Sequence, residues 1–330
     1  MTTASAAPLP PVPVVDARAG GALAAVEALP RQVELLLAAA RRRYTRPGLA
    51  LGDVLSRRWL RRNANPYLPE IAAVARRLGA PGAYALNLSY EWACTTGLVA
   101  GGPLLRVLDW QLDGLGRGLA VLRRRGPAGE WLDLGWPGFV GCVTGLAPGR
   151  FAAAINQPPL PGTGLGPVAD WIAARPAFWR SRALPPAHLL RRAFDEAPDY
   201  AAALAFLRDT PVCAAAFFVL AGAAGEGCVI ERTPGVAAVR LAAPVAAATN
   251  HWVTMPRRDA PRGRGSEARL RAVEALLRAG VDPWPLAWVA PPILNADTRL
   301  VAVADPATGR LALQGFERDG PATRPLRLDP

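Results

Sequence analysis

The segment Tyr90-Glu91-Trp92-Ala93-Cys94-Thr95-Thr96-Gly97 lies where the periodicity of the chain changes. Before it, apolar residues recur mostly at helical spacing. After it come short runs rich in Val, Leu, Phe and Trp, which Gly and Pro divide. A free cysteine is ordinarily a small buried hydrophobe. Cys94, however, stands at the expected start of the first strand of this region, and we interpret it as a nucleophile.

A turn at Gly101-Gly102-Pro103 is expected to bring a second strand back beside the first. This second strand carries Arg106 and Asp109, so the hairpin would present two charged residues next to Cys94. In a regular strand, residues three apart face opposite sides of the sheet. A bend or a strand end must therefore intervene if Arg106 and Asp109 are both to reach the cysteine.

The length of 330 residues predicts one or two domains with a sizeable core. Hydrophobic residues make up 51% of the chain, but Gly and Pro interrupt every apolar run before it could span a bilayer. Residues 1–15 lack the basic and apolar regions of a secretory signal, and four irregularly spaced cysteines favour neither a disulfide scaffold nor a zinc site. We therefore expect a soluble, cytoplasmic protein without metal or cofactor.

The chain has 38 arginines, no lysine and 26 acidic residues, which gives a net charge of +12. An all-arginine chain rich in Ala, Gly and Pro is typical of a strongly biased genome, so we do not expect nucleic-acid binding from the charge alone. Two arginine clusters could still attract an anionic membrane surface. They are Arg41-Arg42-Arg43 and Arg123-Arg124-Arg125.

Residues 1–93 are predicted to form a mainly helical segment, and residues 94–330 a second domain. Helical patterns cover residues 20–43, 49–62 and 67–78 in the first, and 164–207 and 266–278 in the second, where Ser266 is a possible N-cap. The intervening segments have strand patterns. This order favours an α+β fold in which two sheets pack together under helices.

Nine short stretches carry a family resemblance through their order and spacing: residues 65–71, 85–91, 94–96, 106–110, 136–141, 144–149, 154–156, 249–252 and 292–298. They resemble the cysteine N-terminal-nucleophile (Ntn) amidases, which include acid ceramidase and N-acylethanolamine acid amidase. Choloylglycine hydrolase and penicillin V acylase are more distant relatives. The resemblance implies an αββα sandwich with the nucleophile at the start of a central strand.

Hydrolysis of an amide requires a nucleophile, a base and donors for the tetrahedral oxyanion. A thiol with a pKa of about 8.5 is mostly protonated at neutral pH, and only His188 and His251 could form a Cys-His pair. Cleavage between Ala93 and Cys94 offers another base. It would free an α-amine, whose reference pKa of about 7.7 to 8.0 suits it to deprotonate its own thiol.

The resemblance assigns roles to further residues. Arg106 matches the arginine beside the nucleophile, Asp109 the aspartate that bonds the new α-amine, and Asn250 the asparagine of the oxyanion hole. Asn156 matches a second polar residue of the site, although turn preference before Pro158-Pro159 explains it as well.

Two positions are less well defined by the resemblance. Arg269 matches a late arginine of the bile-salt and penicillin amidases, and a solvated helix surface explains it equally. The chain departs from the mammalian relatives at Gln157, where they usually carry Glu, so a role for that acid in self-cleavage is not transferred.

The remaining candidates have plainer explanations. His251 is expected to be a structural neighbour of Asn250, and His188 to have no chemical role. Cys142, Cys213 and Cys228 lie in apolar runs and are expected in the core. Four tryptophans near the site residues could line an acyl pocket or simply pack the core. They are Trp92, Trp110, Trp136 and Trp252.

The resemblance thus implies an amidohydrolase that cleaves the linear carbon-nitrogen bond of a small N-acyl compound, such as a lipid amide, through a thioester at Cys94. Two alternatives remain open. The same thioester could pass its acyl group to an amine, which would make the protein an acyltransferase. Alternatively, the chain is an inactive protein whose basic surface binds nucleic acid or an anionic membrane.

Overall fold

The computed structural model describes residues 8–160, 162, 176–257 and 259–329. Residues 163–175 lie outside the described part of the chain, and they include the first part of the helical pattern predicted over residues 164–207. The helices are α1 (Gly21–Ala28), α2 (Pro30–Tyr44), α3 (Arg46–Arg62), α4 (Leu68–Leu78), α5 (Ala83–Asn87), α6 (Pro186–Glu196), α7 (Tyr200–Asp209) and α8 (Ser266–Arg278). The strands are β1 (Val14–Asp16), β2 (Ala93–Val99), β3 (Leu104–Asp109), β4 (Ala120–Gly126), β5 (Gly129–Gly135), β6 (Thr144–Ala147), β7 (Phe151–Asn156), β8 (Ala216–Gly222), β9 (Gly227–Arg232), β10 (Ala237–Leu241), β11 (Val245–Ala248), β12 (Thr298–Ala304), β13 (Leu311–Glu317), β14 (Gly320–Pro321) and β15 (Leu326–Leu328).

The strands form two sheets that pack face to face. The first has the order β1-β4-β5-β6-β7-β8-β9-β10, and the second has the order β11-β2-β3-β12-β13-β14, with β15 paired to β13. Side chains from both inner faces make up the main apolar core. Helices α6 and α7 cover the outer face of the first sheet, and α8 covers the outer face of the second. The predicted α+β sandwich of four layers is confirmed.

The helices before Cys94 differ in detail from the predicted ones. The pattern over residues 20–43 is two helices, because Pro30 begins a new helix and Leu29 between them leaves the helical conformation (φ −125°, ψ 54°). Helix α4 ends as predicted at Gly79, which adopts φ +59°. Helix α5, of five residues, was not expected.

The segment before Cys94 also supplies a strand that the sequence did not predict. Strand β1 pairs in parallel with β4 at the edge of the first sheet, with Val15 opposite Leu122. Val15 packs there in a small apolar cluster that includes Ala25 of α1 and Ala120 of β4. The residues that precede the nucleophile are therefore built into the sandwich.

The expectation that Arg123, Arg124 and Arg125 form a basic surface cluster is wrong. They lie in β4, where alternate side chains face opposite sides. Arg123 and Arg125 are exposed, but Arg124 is buried and binds Asp133 at 2.8 Å. Arg125 is paired with Glu130 in turn. By contrast, Arg41, Arg42 and Arg43 at the end of α2 are exposed as expected.

Candidate active site

Cys94 is the second residue of β2, a strand enclosed between β11 and β3 in the second sheet. It lies opposite Leu108 of β3, and Thr96 lies opposite Arg106. Cys94, Thr96, Arg106 and Leu108 consequently share the inner face of the sheet, since alternate residues of a strand face the same side. The hairpin predicted from the Gly-Gly-Pro turn is present and places Arg106 beside the cysteine.

Arg106 is fully buried between the sheets. Its Nη1 donates to Thr96 Oγ1 at 2.8 Å and to Asn156 Oδ1, and its Nη2 donates to the main-chain oxygen of Ile155 at 2.9 Å. The Cys94 thiol approaches the same Ile155 oxygen, with Sγ at 3.7 Å. Arg106 and the thiol thus share one carbonyl oxygen as their acceptor. This places the positive charge of Arg106 next to the sulfur.

Asn156 is the last residue of β7 and is fully buried, so the turn explanation is wrong. Its Oδ1 accepts from Thr96 Oγ1 at 2.7 Å as well as from Arg106, and its Nδ2 donates to the Ala248 oxygen at 2.8 Å. A strand residue with every polar atom bonded is held rigidly. Asn156 fixes Arg106 and links the two sheets.

Asn250 follows β11 and extends the pairing of that strand with β2 through its side chain. The main-chain N–H of Cys94 donates to Asn250 Oδ1 at 2.8 Å, and Asn250 Nδ2 donates to the main-chain oxygen of Gln157 at 2.7 Å. Because an amide nitrogen carries two hydrogens, the second can donate to a bound oxyanion. Asn250 is fully buried and in direct contact with the nucleophile.

Arg269 of α8 has no exposed surface, so the helix-surface explanation is wrong. Its guanidinium group donates to the main-chain oxygen of Cys94, to Thr95 Oγ1 at 2.8 Å and to Asn250 Oδ1 at 2.9 Å. The planar fork of arginine suits such multiple acceptors. Arg269 therefore ties Asn250 to the backbone of Cys94 from the outer face of the sheet.

Asp109 is the last residue of β3 and pairs with Ala93, beside the bond that precedes Cys94. Arg106 and Asp109 do face opposite sides of the sheet, as their spacing predicts. The Asp109 carboxylate accepts from Thr298 Oγ1 at 2.8 Å and Asn295 Nδ2 at 2.9 Å, and lies 3.7 Å from Arg269 Nη1. Burial raises the pKa of Asp109, although Arg269 opposes the rise.

Burial raises the pKa of the Cys94 thiol to about 11; Arg106 opposes this rise, Asp109 adds to it and Arg269 opposes it. At neutral pH the thiol in the uncut chain is therefore protonated. Cys94 has no exposed surface either. The site is therefore closed to an external substrate, and some change must occur before one can reach the sulfur.

Parts of the chain are similar in sequence to known proteins. A family model described as acyl-coenzyme A:6-aminopenicillanic acid acyl-transferase matches residues 180–285. Acid ceramidase from Balaenoptera acutorostrata scammoni is 32% identical over 100 residues, or 30% of this chain and 24% of that protein. The Pan troglodytes acid ceramidase is 33% identical over 97 residues, or 29% and 23%. The match thus spans about a quarter of the length of these relatives.

Among solved structures, the Caenorhabditis elegans N-acylethanolamine-hydrolyzing acid amidase ortholog superposes with a TM-score of 0.51. It is 14% identical, and the superposition covers 72% of this chain and 99% of that one. The chain has the Ntn-hydrolase fold. The sequence resemblance to the acid ceramidase group is confirmed together with the predicted αββα sandwich.

In this Ntn-hydrolase fold, neither histidine bonds to the thiol within the described residues. His251 Nδ1 contacts Ser266 Oγ at 2.8 Å and Thr249 Oγ1 at 3.1 Å, next to Asn250 as expected. His188 is fully buried against Asn65, and burial lowers its pKa to about 3, so it stays neutral. The structure offers the thiol no histidine base.

Ser266 corrects the predicted helix start. The N-cap position of α8 is Gly265, and the Ser266 side chain makes no capping hydrogen bond. Its hydroxyl instead accepts from the main-chain N–H of Asn250 at 2.9 Å and donates to Thr249 Oγ1 at 3.0 Å. Sequence reasoning missed Ser266 and Thr96 as neighbours of the site. The alternation of β2 could have revealed Thr96, whereas no local pattern marks Ser266.

Gln157 binds the segment that leads into Cys94. Its side-chain Nε2 donates to the main-chain oxygen of Tyr90 at 2.7 Å, and its main-chain oxygen accepts from Asn250 Nδ2. The Tyr90 hydroxyl donates to the Ala215 oxygen at 2.9 Å, and Glu91 accepts from the Tyr44 hydroxyl at 2.9 Å. The Ntn-hydrolase fold therefore holds the approach to the nucleophile at several points.

The other predicted cysteines and tryptophans are largely core residues. Cys142, Cys213 and Cys228 are buried. Trp92 packs edge-on against Trp110, which packs in turn against Trp136, with ring centroids 5.3 and 5.8 Å apart. Trp252 packs elsewhere, on Phe217. Among the described residues there is no cluster suited to a metal ion, and none of the described helices is both long and apolar enough to cross a bilayer.

Proposed function

We propose that the chain is a cysteine Ntn amidohydrolase that cleaves the amide bond of an N-acyl compound. The observation that carries the proposal is the arrangement around Cys94. This residue is the second of the central strand β2, and Arg106, Asn250 and Arg269 form hydrogen bonds around it. The acid ceramidase match and the fold of a relative described as hydrolysing N-acylethanolamines support the same chemistry.

Maturation begins in the uncut chain. The Cys94 thiol loses its proton to water, its thiolate adds to the carbonyl carbon of Ala93, the Ala93–Cys94 peptide bond breaks, and the departing amine takes up a proton. Water then hydrolyses the resulting thioester, which leaves a carboxylate on Ala93 and restores the thiol. The products are fragments 1–93 and 94–330, and Cys94 now carries a free α-amine.

The mature site uses that amine as its base. The α-amine takes the thiol proton and the thiolate adds to the substrate carbonyl. Asn250 Nδ2 donates its second hydrogen to the oxyanion. Collapse releases the amine product with the proton from the α-amine, and water hydrolyses the acyl thioester. Arg106 favours the thiolate, Arg269 holds Asn250 against the Cys94 backbone, and Asp109 accepts from the α-amine once cleavage frees the strand end.

An apolar groove supports the proposal that the acyl group of the substrate is a hydrocarbon chain. It lies between the helices of residues 30–87 and the loops after β3 and β5, and it is a shallow cavity of about 70 Å³ that opens to solvent. Trp110 and Trp136 line it, and Trp92, two residues before Cys94, packs on Trp110. A mostly apolar wall with few polar atoms suits a hydrocarbon chain.

The test is a set of N-acyl amides that vary in acyl length, assayed with the wild-type chain and two variants. We expect hydrolysis by wild type, none by Cys94→Ala, and full activity from Cys213→Ala, because Cys213 packs in a different apolar cluster from Cys94. Full activity in Cys94→Ala would refute the proposal. A wild type that hydrolyses no amide but binds nucleic acid in a salt-sensitive way would favour the inactive binding protein instead.

An acyltransferase is the second candidate, favoured by the acyl-transferase description of the family model that matches residues 180–285. Water and an amine would compete for the same Cys94 thioester. Supplying candidate amines with the acyl substrate distinguishes the two reactions. A conjugate that replaces the free acid would identify a transferase, and free acid alone would identify a hydrolase.

We also propose peripheral contact with anionic membranes through Arg41, Arg42 and Arg43, in a cytoplasmic protein whose Cys94 stays reduced. Exposed apolar side chains on the adjoining α3, Leu51 and Val54, support a surface that is both basic and apolar. Replacing the three arginines with Gln should weaken sedimentation with vesicles that contain anionic lipid. Equal binding by wild type and variant would contradict this contact.

A further inference from the structure

A glycine-rich loop covers the proposed cleavage point from outside the second sheet. Gly263 adopts φ +73°, and its α-carbon lies so close to Ala93 that a β-carbon added there would stand 2.5 Å from the Ala93 β-carbon. The same added atom would lie 3.3 Å from Arg269 Nη2. Two carbon atoms need about 3.5 to 4.0 Å, so no side chain fits at residue 263 while Ala93 keeps its place.

The loop is bonded to both polar partners of the nucleophile. The N–H of Arg262 donates to the main-chain oxygen of Asn250 at 2.9 Å, and the main-chain oxygen of Arg264 accepts from Arg269 Nε at 2.8 Å. Gly263 lies between these two anchors. The hydrogen bonds to Asn250 and Arg269 therefore fix the position of Gly263 relative to Cys94.

Ala93 is confined on its other side as well. It is the first residue of β2 and pairs with Asp109 of β3. Ala93 thus lies between the paired strand β3 and the backbone of Gly263. Its own carbonyl group is the one that Cys94 would attack in the proposed self-cleavage. A side chain larger than methyl at residue 93 would meet the loop.

We propose that Gly263 is a positioning residue for self-cleavage, which seats Ala93 so that its carbonyl carbon stays within reach of Cys94 Sγ and restricts residue 93 to alanine or glycine. The inference rests on the proposed cleavage at Ala93–Cys94. Gly263 contributes no reacting group. It acts by allowing the loop to close on Ala93.

The test compares two glycines of the same loop. Gly263 and Gly265 both have positive φ, at +73° and +54°, so alanine is strained at either. A β-carbon on Gly265 would have its nearest neighbour at 3.9 Å. We expect Gly263→Ala to slow self-cleavage about 100-fold, because relief of the 2.5 Å contact moves Ala93 by about 1 Å. Gly265→Ala, which also places alanine at positive φ but makes no clash, should cleave within about threefold of wild type.

A second variant separates positioning from simple misfolding. Ala93→Gly removes the carbon that Gly263→Ala would strike, so the double variant should recover most of the cleavage rate. Ala93→Val in the wild-type loop should be slow for the same steric reason. Rates are read as loss of the intact chain by mass spectrometry, with thermal melts run in parallel.

Equal rates in Gly263→Ala and Gly265→Ala, or no recovery in the double variant, would overturn the role of Gly263 while leaving the proposed function standing. A wild-type chain that never cleaves would refute the self-cleavage itself. The two failures are therefore distinct.

Discussion

At the scale of single residues, the Cys94 thiol is the group on which activation depends. Burial raises its pKa to about 11, so the nucleophilic thiolate is scarce at neutral pH and increases as pH rises. We predict that self-cleavage accelerates by about tenfold per pH unit between roughly pH 6 and 9. Timed mass spectra of freshly purified protein measure the rate. A rate that increases toward acid pH would contradict a thiolate mechanism.

Arg269 provides a second prediction at this scale. Its guanidinium group bonds the Cys94 oxygen and Asn250 Oδ1 together, which a single ammonium group cannot reproduce. We expect Arg269→Lys to lower amidase kcat/KM by about 100-fold. Arg271→Lys lies on the exposed side of the same helix, 74% exposed, and should match wild type. Equal losses of kcat/KM in both variants would show that a general disturbance of α8, and not the loss of the Arg269 contacts, lowers the activity.

The residues of the site could be predicted from sequence only where a motif carried them. Cys94, Arg106, Asn156 and Asn250 come together as the resemblance implied, although their catalytic roles stay predictions. Arg269 could not be distinguished from a surface residue, because helical periodicity does not say which face another element covers. Ser266 was assigned to capping for a related reason. Its hydroxyl bonds Asn250, a contact that depends on tertiary structure.

At the scale of elements, Glu70 of α4 joins the helical segment to the sandwich. Its carboxylate binds Arg191 of α6 and lies 3.4 Å from Arg124 of β4. Burial opposes its charge, but the two arginines outweigh burial and lower the pKa of Glu70 below 4.5. Because the folded pKa is lowered, this contribution to stability is present above about pH 4.5 and is lost as pH falls through the folded value.

We predict that Glu70→Gln destabilises the chain by about 2 kcal/mol at neutral pH, since it removes a charged acceptor that Arg191 and Arg124 share, although these arginines keep Asp195 and Asp133 as partners. The destabilisation relative to wild type should shrink as pH falls below about 4.5. Glu27→Gln removes an exposed partner of Arg77 and should cost less than about 0.5 kcal/mol. Urea unfolding at several pH values measures both. A pH-independent difference would contradict the ionic contribution of Glu70.

Several elements could be predicted because their patterns are local. Strands β9 and β12 have the expected bounds, Gly227–Arg232 and Thr298–Ala304. The helix over residues 20–43 was predicted without weighing Pro30, which divides it. Strand β1 has three residues and becomes a strand only by pairing with β4, about a hundred residues away. Such pairing leaves no periodic trace in so short a segment.

At the scale of the whole molecule, β1 makes the segment before Cys94 part of the first sheet. We predict that fragments 1–93 and 94–330 stay together after cleavage, because separation would expose the edge of β4 and the apolar cluster around Val15. Val15→Asp should lower the urea concentration at which the smaller fragment separates on gel filtration. Val14→Asp, on the exposed side of the same strand, should not. Separation of the wild-type fragments without denaturant would contradict this prediction.

The central claim is that Cys94 becomes an N-terminal nucleophile, and the most direct measurement is intact mass with N-terminal sequencing of freshly purified protein. Cleavage after residue 93 of the 34.8 kDa chain predicts fragments of about 10 and about 25 kDa, the larger beginning with Cys94. Cys94→Ala should remain whole. A wild-type chain that stays intact after incubation from acidic to neutral pH, or that is cut at another bond, would contradict the account.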